Sequence, residues 1–372
     1  MLIFTGIRLA IDALISRFVV GARGRRFWRM LAAIIGADVI VALAAPFLIY
    51  WMANMSAGSA THETFLTLLA GALMLIAALL IWEGAVMLAA RGWGLTRQRV
   101  GLAATALLLG LGIPIAGVAA IQSRGNAPAQ VTRWEVAVAG LPAAFDGLRV
   151  ACVGDLHLDR TTCADAMRRR LRPLASLDPD LILFVGDYAT GDPRYEEPAA
   201  AIIAGLRAPL GVYAVLGNHD RWVGEENSLR ALREAGVRVL VNEKVALRRG
   251  ADRLYLAGVN DPYTGADDLD GALSTVPAGS CVILLAHTPD IIAKAQARAV
   301  ALVLAGHTHG GQVSLPLVGP PVVLSEYGSK YAHGLFREGR TAMFVTRGVG
   351  EIFPQVRFNC PREIALLTLR RG

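Results

Sequence analysis

Two hydrophobic regimes divide the chain. In the first 122 residues the apolar positions run together: residues 30–53 carry one charge, Asp38, residues 65–90 only Glu83, and residues 100–122 none. Each run exceeds the ~20 apolar residues needed to cross a bilayer, so three spans are predicted. Residues 2–20 are interrupted by Arg8, Asp12 and Arg17, with Arg8 and Asp12 four apart and able to pair on one helical face. That segment either spans or lies along the interface. Residues 123–132, containing SRGNAPAQ, read as a polar linker. From 133 to 372 the apolar runs shorten to RVACV, LILFV, VYAVL, CVILLA and ALVLA, which are rich in Val, Ile and Leu and bounded by Gly or Pro, as buried strands are.

Strand-like and helix-like patterns alternate through the first half of this second region. Strands are predicted at 134–138, 149–153, 181–185 and 212–216, with helices at 164–174, 198–206 and 228–235, which argues for a largely parallel sheet. Close-spaced strands at 238–240, 245–247 and 254–257 have little helix between them and predict a second, more antiparallel sheet. Residues 341–345 and 363–369 again read as strand. The fold class expected is an N-terminal set of transmembrane helices followed by an α/β domain of two facing mixed β-sheets flanked by helices, an α/β/β/α sandwich. No internal repeat interrupts the pattern.

Composition sharpens the membrane reading. The chain is 54% hydrophobic with a mean hydropathy of +0.46, most of it contributed by the first third. A net charge of +7 would suit nucleic acid, but residues 1–132 hold 10 Lys+Arg against 4 Asp+Glu and residues 133–372 hold 27 against 26. The excess therefore belongs to the membrane loops, and no nucleic-acid partner is expected. Arg23, Arg25, Arg26 and Arg29 precede the first long span, and Arg91, Arg97 and Arg99 separate the second from the third. By the positive-inside rule these loops are cytoplasmic and the following domain is extracytoplasmic, as expected of a multi-pass membrane protein. No cleavable signal peptide is read, because the first hydrophobic segment leads into further spans. Cys152 and Cys281 fall in predicted core strands and read as small hydrophobes; with Cys163 and Cys360 they form no CxxC pair.

Candidate chemistry collects where the short apolar runs end. GDLH at 154–157, GD at 186–187, GNHD at 217–220, AHTPD from Ala286 and GHTHGGQ from Gly306 place Asp155, His157, Asp187, Asn218, His287, His307 and His309 at the C-terminal ends of strands, where open α/β sheets keep their sites. A lone histidine there is more often an ordinary hydrogen-bonded residue; five, counting His219, point to metal. Asp155 and His157 are two apart, as are His307 and His309, so each pair projects to one side if its segment is extended. Carboxylate, imidazole and amide oxygen together suit two divalent ions of Mn, Fe or Zn rather than Mg or Ca.

The ordered pieces DxH, GD, GNHD, H and GHTH resemble the calcineurin-like metallophosphoesterase superfamily, and the resemblance covers residues 133–372. It implies one metal held by Asp155, His157, Asp187 and His309, and a second held by Asn218, His287, His307 and the shared Asp187. It also implies that His219 contacts the phosphoryl oxygens or protonates the leaving group, while Asp220 orients its loop or His219, or is simply structural. The chemistry implied is hydrolysis of a phosphoester by water activated between two cations. The tail GHTHGGQVSLPLVGP, with SKYAHGLF, VTRGVG and RFNCPREI, is similar to a membrane-attached or exported bacterial branch. Some of its members hydrolyse UDP-2,3-diacylglucosamine or other phosphodiesters. Gln312, Lys330, Tyr331 and His333 are read either as cleft residues or as surface loop. Two positions depart from the pattern: Gly154 stands where the branch often has Ser or Thr, and Thr190 stands where protein phosphatases place an Asp that pairs the catalytic His.

The expectation is thus a membrane-anchored metallophosphoesterase of the bacterial inner membrane acting on a phosphodiester or pyrophosphate; a lipid or envelope substrate would account for the anchor, although a span also serves simply to retain an enzyme. A catalytically weak envelope receptor or scaffold retaining the metal centre is the alternative from another class. A transporter, suggested by Asp38 and Glu83, is the third, although isolated acids in small-residue helices are more often packing residues.

Overall fold

The computed structural model describes residues 127–315, 318–353 and 355–372. The apolar segments at 2–20, 30–53, 65–90 and 100–122 lie outside the described residues, and among the described residues no helix is long and apolar enough to cross a membrane.

Two six-stranded sheets build the domain. The first runs in the order β1 (Gln130–Val138), β12 (Glu363–Arg371), β2 (Arg149–Val153), β3 (Leu181–Phe184), β4 (Val212–Ala214), β5 (Arg238–Val239). The second runs β10 (Gly334–Glu338), β11 (Thr341–Val345), β9 (Leu302–Ala305), β8 (Val282–Leu285), β7 (Asp252–Gly258), β6 (Glu243–Arg249). The alternation within each strand sends side chains to opposite faces and so divides the core. Val150 and Cys152 of β2 join Leu181 and Leu183 of β3 against Leu256, Ile283 and Leu304 of the other sheet. Ala151 and Val153 point the other way, with Ile182 and Phe184, onto Met167 and Leu171 of α1 (Ala164–Leu171) and Ile203 of α2 (Glu196–Ile203). Outside the second sheet, Leu284 and Val303 pack on Leu269 of α4 (Leu269–Leu273) and Ile292 of α5 (Ile292–Ala297). The strands of the two sheet centres are buried on both faces, which is why their sequences are continuous apolar runs. Cys152 and Cys281 belong to the core between the sheets and form no disulfide.

Three sequence expectations are corrected. The second sheet is not mainly antiparallel: β7, β8, β9 and β11 are parallel, and only the edges β6 and β10 run against their neighbours. The reason is that α4 and α5, too short to show a helical period, carry the chain back over the sheet between successive strands. The helix expected at 228–235 begins earlier, as α3 (Asn218–Glu234), so Asn218 and His219 lie in a first helical turn rather than a loop; α3 is kinked at Gly224, whose φ is +125°. Finally, Asp155/His157 and His307/His309 are not extended pairs. β2 ends at Val153 and β9 at Ala305, and all four residues have φ between +48° and +67°. Left-handed backbone, not strand alternation, turns them to a common point.

One buried ionic knot ties the end of the sandwich that carries these loops. Glu351, 3% exposed, meets Arg170 Nη1 at 3.0 Å, Arg357 Nε at 3.3 Å and Arg362 Nη2 at 2.5 Å. Burial pulls the Arg362 guanidinium down to about 10 even though the Glu351 carboxylate opposes the shift. Ala129 N–H donates to the Arg170 carbonyl at 3.0 Å, so the chain joins the domain beside the same knot. Glu351→Ala leaves three guanidinium groups without their shared carboxylate and is predicted to cost about 3–5 kcal/mol; urea denaturation of the purified chain against wild type measures it.

Candidate metal centre

The loops that follow β2, β3, β8 and β9, together with the start of α3 after β4, meet at one rim. Each strand ends in an apolar residue locked in the sheet, so the next two to four residues are the first free to turn. Asp155, Asp187, His157, His307 and His309 all turn in the left-handed region, which in non-glycine residues costs of order 1–3 kcal/mol each. The strain is held by hydrogen bonds: Asp155 N–H donates to Gly186 O at 3.0 Å, His157 N–H to Asp187 O at 3.1 Å, and Gly306 N–H to His287 O at 2.8 Å.

Asp220 is the keystone of two of these loops. Its carboxylate, fully buried, accepts the N–H groups of Gly217 at 2.7 Å and of Asp187 and Tyr188 at 2.8 Å. It sits three residues into α3 and reaches back to the amide before the helix, as an acidic residue in a capping box does. Its partners are therefore backbone, and it orients the loops that carry Asp187 and Asn218.

All seven candidate ligands converge. Asp155, His157 and His309 offer donor atoms within 4.8 Å of one another, and so do Asp187, His287 and His307. Between the two groups lies a single oxygen: Asp187 Oδ2 is 3.3 Å from His157 Nε2 and 3.2 Å from His287 Nε2. Asn218 Oδ1 lies 3.0 Å from His287 Nε2, and His157 Nε2 lies 3.0 Å from His309 Nε2. The seven residues are buried. His219 is half-buried, packs edge-on against His157 with ring centroids 4.8 Å apart, and donates its backbone N–H to Asp187 Oδ1 at 2.9 Å. A ring nitrogen of His219 also lies within 4.8 Å of donor atoms of His157 and Asp187.

The electrostatics of this cluster fit cations. Burial drives the imidazoles of His157 and His307 down to about 3 and holds His309 well below the usual value, so each keeps a neutral ring, the form that ligates. Burial would raise Asp187, but the imidazoles of His287 and His157 outweigh it and keep its carboxyl well below the ordinary range. The same pairing overcomes burial at His287 and lifts it to about 10. Asp155 is pushed up to about 7, by burial first. Its Oδ2 and His307 Nε2 are buried without a hydrogen-bond partner. Two acceptor atoms orphaned among the neutral rings of His157, His307 and His309 are what divalent cations would satisfy.

Outer contacts orient the rings. His287 Nδ1 donates to the Val185 carbonyl at 2.8 Å, which turns Nε2 towards Asp187 Oδ2, where a bound cation would take the place of the Nε2 proton. Thr190 Oγ1 lies 2.6 Å from His157 Nδ1. The departure noted in the sequence at Thr190 therefore supports His157, a candidate ligand, and not His219. Sequence reading missed this role because a residue's partner across a loop has no local signature.

Asp187, Asn218, His219, His307 and His309 floor an open cavity whose walls are Trp222, Tyr263, Leu324 and Ile352. Trp222 was readable in principle, three residues after His219 on one helix; the other three come from distant loops. Gln312, Lys330, Tyr331 and His333 do not line it. Gln312 bridges the Ile352 backbone at 2.8 and 3.1 Å, and Lys330 pairs with Glu338 at 2.9 Å.

Residues 148–311 match the family model described as calcineurin-like phosphoesterase. The chain is 32% identical over 235 residues to the uncharacterized metallophosphoesterase YkuE of Bacillus subtilis, covering 62% of this chain and 82% of that protein. It is 32% identical over 226 residues to phosphodiesterase YaeI of Escherichia coli, covering 59% and 82%. It is 30% identical over 278 residues to the zebrafish (Danio rerio) transmembrane protein with metallophosphoesterase domain, covering 70% of this chain and 62% of that longer relative.

Two substitutions test the centre. Asp187→Ala is predicted to lower metal content at both positions, whereas His309→Ala lowers only one; elemental analysis of metal-replete protein reads the difference. Gly217 has ordinary backbone angles, but a Cβ there would stand 2.2 Å from Asp187 Oδ1. Gly217→Ala is therefore predicted to displace Asp187 and to lose metal as Asp187→Ala does, with Asp187 itself unchanged.

Proposed function

Since the chain belongs to the calcineurin-like phosphoesterase family and is a metal-dependent phosphoric ester hydrolase, we propose that it is membrane-anchored and cleaves a phosphodiester or pyrophosphate bond in a lipid or envelope substrate, such as a UDP-2,3-diacylglucosamine-like molecule. The observation that carries the two-metal part of this reading is Asp187 Oδ2, equidistant within 0.1 Å from an imidazole of each donor group. Asp155, His157 and His309 would hold one ion, Asn218, His287 and His307 the other, and Asp187 would bridge. The donor set suits Mn, Fe or Zn. When bound, two such ions supply Lewis-acid polarisation of the phosphoryl group and lower the pKa of a water towards neutrality.

The protein's own residues supply the rest. His219 lines the cavity without being fully buried, so its ring can reach a phosphoryl or leaving-group oxygen, and its backbone bond to Asp187 Oδ1 fixes it relative to the bridging carboxylate. Burial lowers its pKa, against the pull of Asp187, so the resting ring is neutral and donates one N–H. Asp220 acts at one remove, by holding the Asp187 and Gly217 amides. A polar floor under walls of Trp222, Tyr263, Leu324 and Ile352 suits a phosphoester joined to an apolar or aromatic group. The anchor rests on the apolar runs before residue 123 and is supported by the zebrafish relative's name. The extracytoplasmic side rests on the arginine distribution: a reporter fused after residue 130 is expected to be active only outside the cytoplasm, and a cytoplasmic signal would reverse the assignment.

Hydrolysis by the purified chain across phosphodiesters, phosphomonoesters and UDP-linked lipids, with each metal in turn, tests the substrate class. Within that panel His219→Asn is expected to retain both metals and to lose ~10²–10⁴ in rate on unactivated esters. The loss should shrink on nitrophenyl esters, whose leaving group needs little protonation. Unchanged turnover by His219→Asn would remove the role assigned to this ring.

A further inference from the structure

The large hydrophobic side chains exposed among the described residues are not scattered. Trp222 and Tyr263, their rings 6.2 Å apart, stand at the cavity mouth, 61% and 55% exposed. The others occupy two neighbouring loops: Leu315, Val318, Val322, Leu324 and Tyr327 on one, Phe353 and Phe358 on the other. Val318 and Val322 are 76% and 68% exposed.

The loops form one surface. Phe358 N–H donates to Gln312 O at 3.0 Å, Ser314 N–H to Phe358 O at 2.9 Å, and Ile352 N–H to the Gln312 side chain at 2.8 Å. Leu324 and Ile352 then complete the cavity wall begun by Trp222 and Tyr263. Residues 311–325, GQVSLPLVGPPVVLS, contain no charged side chain. A contiguous apolar surface of this kind is unusual on a freely soluble domain.

The chain also arrives at this end of the domain. β1 begins at Gln130 opposite Glu363, and Glu363 accepts the Arg347 N–H at 3.0 Å in the segment that leads to Ile352. Ala129 is bonded to Arg170, which pairs with Glu351, the neighbour of Ile352. The seven residues 123–129 separate this point from the last apolar run and reach at most about 25 Å when extended. Gln130 therefore enters the domain at the end where the apolar loops protrude.

We propose that the apolar loops around the cavity mouth insert into the lipid bilayer surface and present the metal centre to a phosphoester held in that bilayer. Val318 and Val322 enter the acyl boundary, while Trp222, Tyr263 and Tyr327 have the amphipathic rings that settle at headgroup level. The inference rests on the anchored-hydrolase reading above and adds to it an orientation: the cavity opens towards lipid rather than towards water.

The test uses the full chain in liposomes, with Cys163, the exposed thiol, replaced by Ser and a fluorophore placed at Val318→Cys, Val322→Cys or Ala251→Cys. Ala251 is exposed at the β6–β7 turn, at the opposite end of the second sheet. Labels at 318 and 322 are expected to be quenched at least about two-fold by nitroxide lipids and little by aqueous iodide, with the reverse at 251. Iodide quenching at 318 and 322 equal to that at 251 overturns the proposal. Protection from both quenchers overturns it equally, since the loops are then covered by protein, the chain's own apolar segments or a second copy. The double variant Val318→Asp, Val322→Asp should keep hydrolysis of a water-soluble phosphodiester within about two-fold and lose about ten-fold on a bilayer-embedded one. If no ester is cleaved by the parent chain, the hydrolase reading fails, whereas the quenching pattern still decides the docking.

Discussion

The rim of this domain depends on keeping one buried carboxylate, Asp187, ionised at the floor of its cavity. Burial alone would neutralise it, and the imidazoles of His287 and His157, each just over 3 Å from the same oxygen, lead the interactions that hold it charged. That single atom sets the spacing of the two donor groups. Three further features of the centre position Asp187 or are positioned by it: Asp220 grips its amide, Gly217 yields the space its Oδ1 occupies, and His219 takes its register from a backbone bond to that Oδ1.

Such a site is costly for the chain to hold. Five candidate ligands adopt left-handed backbone, two acceptor atoms lie buried without partners, and neutral imidazoles are packed nitrogen to nitrogen. The two-sided core below absorbs this cost. Strands ending in Val153, Phe184, Leu285 and Ala305 are locked on both faces, so the loops above them have little freedom to relax. Filling the centre with cations would turn the crowding into coordination, a reason to expect its stability to be linked to metal occupancy.

The polar floor and apolar mouth have different origins. The floor comes from residues within a few positions of strand ends. The mouth comes from α3, the loop after β7, and two long connections around 312–327 and 351–358, stitched by Gln312 and underpinned by Glu351. Chemistry and access are thus carried by separate parts of the chain, which lets the same centre serve substrates of different shape.

The sequence by itself determined most of the sheet strands, the two-layer architecture and the residues that gather at the site, because runs of Val, Ile and Leu buried on both faces and Gly-flanked polar residues at their ends are local signals; β10 escaped it, and the strand at 238–240, expected in the second sheet, pairs with β4 at the edge of the first. The bounds of β2 and β11 could be read to the residue. What only the tertiary structure decided is how those residues meet. The left-handed turns at Asp155, His157, His307 and His309, the support of His157 by Thr190, and the inward turn of Gln312 all depend on loops far apart in sequence. The parallel centre of the second sheet was hidden for a related reason: α4 and α5 are held by packing against it, and helices that short leave no period in the sequence to read.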